Sequence, residues 1–256
     1  MSDLRIATIL PIPEMWREQD SDYHMALAHL ADSPIYSEFF RKQSERGAFV
    51  LMDNGVVETG KAMQVRDLFR VGREIKATQI CLPDKIFDCK TTLRLHEDAV
   101  RTDRNGCESS FMAMPQGRNL DEWIKCATRM VEKADDWGVR AIGITKFLEG
   151  MVHHRSEAIL AVPGLIESDL DIHLLGCLGN DPFEAYITGM ALRNRIRGVD
   201  SGMAAIWTQA GLLVGQDPRP KIELDFDNPS QSNLLLRQNI IRWKNYVCYG
   251  VPIWPQ

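Results

Sequence analysis

The chain has 256 residues, 45% of them hydrophobic and 25% charged, with a formal net charge of −5 at pH 7. This is the balance of an ordinary globular protein with room for one large core, and no apolar run reaches membrane-spanning length. The acidic sign argues against a protein that coats nucleic acid, though a local basic patch would still hold a short stretch.

The amino terminus, MSDLRIATILPIPEMW, has no basic region followed by an apolar stretch and a small-residue cleavage site. It is not read as a signal peptide, and the chain is expected to stay in the cytoplasm. Cys81, Cys89, Cys107, Cys126, Cys177 and Cys248 form no C-x-x-C pair and read as free thiols. No Cys and His cluster has structural-zinc spacing, and neither a metal nor a cofactor is expected. The adjacent His153 and His154 suit a loop.

In chain order, short apolar runs end in polar or glycine-containing turns. They are Ile6–Leu10, Phe49–Met52, Gln79–Leu82, Phe111–Met114, Ala141–Ile144, Ile172–Leu175 and Ile196–Val199. Near-continuous apolar runs of this length predict strands buried on both faces of a parallel sheet. Helical spacing of apolar residues falls between them, over 61–77, 119–137, 155–168 and 181–194. Asn180 or Asp181 is the expected N-cap of the last, ahead of Pro182. Alternating strand and helix means a parallel α/β fold.

The strand ends recur evenly. Asp53 to Asp84 is 31 positions, Asp84 to Gln116 is 32, Gln116 to Gly143 is 27, Gly143 to His173 is 30 and His173 to Asp200 is 27. Even units with polar residues at the same strand end favour a closed (β/α)8 TIM barrel, in which those ends converge on one mouth. Gly211–Val214 is the candidate eighth strand, 216–233 a loop and 234–248 a closing helix. No linker interrupts the chain, so 1–256 reads as a single barrel domain.

Three carboxylates end strands: Asp53 in LMDNG, Asp84 in CLPDK and Asp200 in GVDSG. Gln116-Gly117 ends the fourth predicted strand, Gly143-Ile144-Thr145 the fifth and Leu175-Gly176 the sixth. One such Asp alone reads as turn chemistry or a helix cap. Three at corresponding strand ends, at the face where barrel enzymes do their chemistry, read as a site. His173 sits inside an apolar run and reads as a packed, hydrogen-bonded core residue rather than a catalyst.

The motifs MDNGVVETG, CLPDK, MAMPQG, AIGITKFLEG, HLLGCLGNDP and RGVDSG, in this order, cover the chain from Phe49 to Thr208. In them the chain resembles the tRNA-guanine transglycosylase superfamily, closest to its short branch, the bacteriophage-type 7-deazaguanine DNA transglycosylases. The resemblance implies Asp200 as the nucleophile that attacks C1′ and Asp53 as general acid/base. It implies Asp84 as acceptor of the N1–H and 2-amino edge of guanine, a pairing that needs a planar two-oxygen acceptor. Gln116, Gly117, Gly143, Ile144, Leu175 and Gly176 would complete the base site, with Gln116 and the backbone near Gly143 as donors to O6.

A carboxylate nucleophile and a second carboxyl that moves protons suit a retaining base exchange. The target base has to be flipped out or single-stranded. The chain departs from the tRNA enzymes in lacking a counterpart of their cysteine-rich zinc subdomain, since only Cys248 lies beyond Cys177. It also has Val57 where many of them have an aromatic residue that stacks on the base. Glu58 stands where a glutamine is usual, and no role is assigned to it.

Lys146, Arg155, Arg193 and Arg219 are the candidate polynucleotide contacts, with His153, His154, Arg195, Arg197 and Lys221 beside them; Arg197, inside a strand run, is alternatively the partner of a carboxylate. The expected partners are DNA and a free 7-deazaguanine such as the 7-cyano compound, with no membrane and a homodimer left open. The alternatives are exchange on RNA, hydrolysis of an N-glycosidic bond by the same carboxylates, and a non-catalytic binding subunit.

Overall fold

Runs rich in Val, Ile, Leu and Met pair side by side in the computed structural model, which describes residues 4–176, 184–192, 195–216, 220–230 and 232–250. The strands are β1 Arg5–Thr8, β2 Tyr23–Leu27, β3 Phe49–Asp53, β4 Gln79–Cys81, β5 Ser110–Ala113, β6 Val139–Thr145, β7 Asp171–Leu175 and β8 Ile196–Ser201. All ladders are parallel, in the order β1-β8-β7-β6-β5-β4-β3-β2. β1 and β2 lie next to each other, so the sheet curls into a nearly closed barrel. This is the (β/α)8 architecture expected from the even βα spacing.

The strands are apolar on both faces because helices cover the outside and side chains fill the inside. Val50, Leu51, Met52, Ile80, Met112, Ile142, Ile144, Leu174 and Val199 are fully buried. The covering helices are α1 Pro34–Glu45, α2 Val56–Thr59, α3 Val65–Glu74, α4 Cys89–Arg101, α5 Leu120–Trp137, α6 Arg155–Leu160, α7 Glu184–Ala191, α8 Met203–Gln209 and α9 Asn233–Tyr249. Ser33, Asp88, Asn119 and Ser232 each accept a backbone N–H of the following turn, which starts α1, α4, α5 and α9 at fixed points. No described helix is long and apolar enough to cross a membrane.

Two elements differ from the sequence expectation. Gly211–Val214 is not the eighth strand; β2 completes the ring instead. Gly211 has φ of +72°, and the N–H groups of Leu212 and Val214 are taken by the Trp207 carbonyl and the Asn239 side chain, so this apolar run is a turn between α8 and α9 that buries Val214. The helix expected over 155–168 stops at Leu160, since Pro163 and a left-handed Gly164 cannot continue it. The N-cap expected at Asn180 or Asp181 lies outside the described residues.

Gly117 holds the β5–α5 connection close to its helix. A Cβ there would meet the backbone N of Trp123 at 2.3 Å and its Cα at 2.7 Å. Backbone atoms inside a capped helix cannot step aside as a side-chain tip would. Gly117→Ala is therefore expected to lower the unfolding free energy by about 2–3 kcal/mol in urea denaturation. Unchanged stability would mean that the loop and α5 separate freely.

Candidate active site

The carboxyl ends of the strands surround a pocket. Asp53 reaches it from the end of β3, Asp84 from the loop after β4, and Asp200 from β8. Gln116, Leu175 and Gly176 line it as well. A wider recess adjoins this pocket and shares Asp200, Gly176, Lys146 and Glu58 with it. The fold and this opening define an α/β barrel with an acid-rich pocket at the mouth where such barrels carry their sites.

Each acid meets a different set of donors. Asp53 Oδ2 accepts one backbone N–H, from Gly55 at 2.8 Å, where a φ of +77° turns the chain back over the carboxylate. Burial, then the charge of Glu58, then the other two acids push Asp53 up to about 7, only partly offset by that bond. Asp84 is held at both oxygens by side-chain amides: Asn54 Nδ2 reaches Oδ1 at 2.8 Å and Gln116 Nε2 reaches Oδ2 at 2.6 Å. Burial raises Asp84 to about 6 against these two bonds. Asp200 Oδ1 lies 2.9 Å from His173 Nε2, and the Gly176 N–H stands 3.3 Å from both of its oxygens.

The amides of Asn54 and Gln116 are oriented by their other ends. Asn54 accepts the Val56 N–H at 3.0 Å and also donates to the Leu82 carbonyl at 2.8 Å. Gln116 accepts the N–H of Phe87 at 3.3 Å, a residue with a left-handed φ of 62°. The Asp84 carboxylate lines the pocket, where a planar donor pair would meet it.

The remaining residues singled out in the sequence divide. Lys146 lines the pocket. Gly143 lies one layer below, where a Cβ would come within 2.6 Å of Leu175 and 2.7 Å of Met114, so its missing side chain makes room for two pocket-lining residues. Ile144 is fully buried and its carbonyl accepts Arg155. Thr145 is the residue of β6 that reaches the pocket, two positions beyond Gly143. Gly117 packs against α5, as described above.

Arg155 does not face a polynucleotide. It is fully buried, paired with Glu184 at 2.6 Å, and donates to the carbonyls of Ile144, Leu175 and Gly176. It ties α6 to α7 and to the strand ends; buried charge needs such pairing. Arg195 bonds the carbonyls of Ser168 and Leu170 at the opposite end of the barrel. Arg197 pairs with Asp171 at 3.0 Å, the carboxylate alternative raised by its place in a strand. His153 and Lys221 are exposed. Arg193 and Arg219 lie outside the described residues.

Three contributors escaped the sequence reading. His173 was expected in the core and is there, but its partner is Asp200. Phe147 lines the pocket and contacts Phe87 with ring centroids 5.4 Å apart, so an aromatic wall comes from the segment after β6. Glu58, left without a role, lines the pocket beside Asp53. Among the described residues no group of three His, Cys, Asp or Glu is disposed to hold a metal.

Neither family models nor curated proteins match this chain.

The Asp53 proton gives a measurable signature. Its folded value of about 7 stands above the ~3.9 of an unfolded aspartate, so between those values the folded protein holds the extra proton and stability falls as pH rises. Asp53→Asn removes that dependence. The stability of the wild type minus that of the variant, from urea denaturation, is expected to fall by up to about 1.4 kcal/mol per pH unit between roughly pH 4 and 7. A flat difference would mean that Asp53 is ordinary in the folded state.

Proposed function

We propose that this protein is a base-exchange glycosyltransferase that replaces guanine in DNA by a 7-deazaguanine, through a covalent bond between Asp200 and the sugar. The observation that carries the reading is the convergence of Asp53, Asp84 and Asp200 on one pocket, each in a different donor environment. DNA is named ahead of RNA on the resemblance to the short phage-type branch of the transglycosylases.

The chemistry follows from those environments. Ionised Asp84 accepts the N1–H and 2-amino hydrogens of guanine, while Gln116 retains a second N–H for the base. Asp200 attacks C1′ as the C1′–N9 bond breaks, and the departing base takes a proton from the acid form of Asp53. The incoming 7-deazaguanine binds in the same place and gives its N9 proton to Asp53 as N9 attacks C1′ and expels Asp200. The protons balance over one cycle. A carboxyl poised near 7 serves both directions, which a carboxylate at its ordinary value would do poorly. Phe147 offers the base a stacking face that Val57 does not.

Incubation with radiolabelled 7-cyano-7-deazaguanine and guanine-containing DNA is expected to put label into the polymer. A denaturant-resistant adduct with the oligonucleotide is expected too, and both are lost in Asp200→Asn, with at least ~10³-fold less incorporation. Label entering tRNA and never DNA would overturn the polymer assignment. Free guanine and abasic sites without incorporation would make the protein a hydrolase.

A further inference from the structure

Beneath the pocket a chain of polar side chains runs through the barrel interior from its opposite end. Arg197 Nη2 donates to Gln79 Oε1 at 2.7 Å and its Nη1 to Asp171 at 3.0 Å. Arg197 Nε donates to the Tyr23 hydroxyl at 3.3 Å. The same hydroxyl lies 2.8 Å from His173 Nδ1, and His173 Nε2 lies 2.9 Å from Asp200 Oδ1. Tyr23 and His173 are buried, the latter with no exposed surface. Four strands contribute: β2, β4, β7 and β8.

The protons in this chain have one consistent direction. A guanidinium only donates, so the Tyr23 oxygen accepts from Arg197 and its own hydrogen is free to point at His173. Burial pushes the Tyr23 hydroxyl up to about 12, so it keeps that hydrogen. Nδ1 of His173 is then an acceptor. Burial also lowers His173, keeping the ring neutral, and a neutral imidazole with a bare Nδ1 carries its proton on Nε2. That proton points at Asp200 Oδ1. The opposite tautomer would set a lone pair against a carboxylate oxygen.

We propose that His173 is the positioning residue of Asp200: locked by Tyr23 and Arg197 as the Nε2–H tautomer, it ties down Oδ1 from inside the barrel and leaves Oδ2 as the oxygen that reacts. This rests on the reading of Asp200 as nucleophile. Among the described residues Oδ2 then has only the Gly176 N–H at 3.3 Å, a contact that orients it without burying its lone pairs. A carboxylate free to rotate would present either oxygen over a range of angles. Held at one oxygen, it attacks along one line.

The first test needs no variant and no substrate. Long-range proton–nitrogen correlation spectra of the full protein, labelled with ¹⁵N-histidine, are expected to show His173 as the Nε2–H tautomer at neutral pH. An Nδ1–H or imidazolium pattern overturns the proposal. The second test reads the rate of adduct formation with a guanine-containing oligonucleotide beside the affinity for 7-cyano-7-deazaguanine. His173→Leu is expected to slow the adduct ~100-fold, and His173→Gln, whose amide N–H reaches the same place, to recover most of it. Tyr23→Phe, which keeps the ring packing, is expected to slow it ~10-fold. Base affinity stays unchanged in all three. Wild-type rates in His173→Leu, or in Tyr23→Phe should the leucine variant fail to fold, overturn the proposal. A wild type with the Nε2–H tautomer but no adduct sinks the nucleophile reading and leaves the His173–Asp200 lock standing.

Discussion

Three carboxylates withdrawn from water around one opening repel one another, and each loses hydration that favoured its charge. The barrel meets this by giving each a different set of N–H donors. Asp53 has one backbone N–H, Asp84 has two side-chain amides, and Asp200 has an imidazole and a backbone N–H. The poorest set belongs to Asp53, which also faces Glu58, and burial raises it further than Asp84. In the proposed exchange, division of labour between chemically identical groups would arise from this unequal solvation by the protein.

The donors come from strands that are neighbours in the ring. Asn54 follows β3 and Gln116 follows β5, and both close on Asp84 after β4. His173 on β7 and Gly176 just beyond it reach Asp200 on β8. Parallel pairing fixes these strand ends side by side, so register brings each donor near its acid. The left-handed Gly55 and Gly176 allow backbone N–H groups to turn inward where a side chain would be strained. Buried Arg155 bonds the carbonyls of Ile144, Leu175 and Gly176 and so holds this part of the rim in place.

Much of this was legible in the sequence because βα units of constant length put strand ends in phase. Asp53, Asp84, Gln116 and Asp200 stand out by that spacing alone. β2 was not legible, since Tyr23-His24-Met25-Ala26-Leu27 carries two polar rings in place of a plain apolar run. Those rings are there for a reason: Tyr23 bonds His173, and His24 bonds the Ser21 carbonyl. Conversely, Gly211–Val214 has the composition of a strand but meets its hydrogen bonds in a turn. Arg155 could not be separated from a surface cation because its partner, Glu184, lies 29 positions away. Phe147 resembles any core aromatic until the pocket is seen.

The proposed exchange requires the pocket to accept a purine-like ring against Asp84 with Asp53 and Asp200 at hand. A crystal structure of the protein soaked with 7-cyano-7-deazaguanine tests this most directly. The base is expected to lie against Phe147, its N1–H and 2-amino group within hydrogen-bond distance of both Asp84 oxygens. A base bound elsewhere, or an Asp84 that keeps its amide partners while the pocket stays empty at saturating ligand, would contradict it.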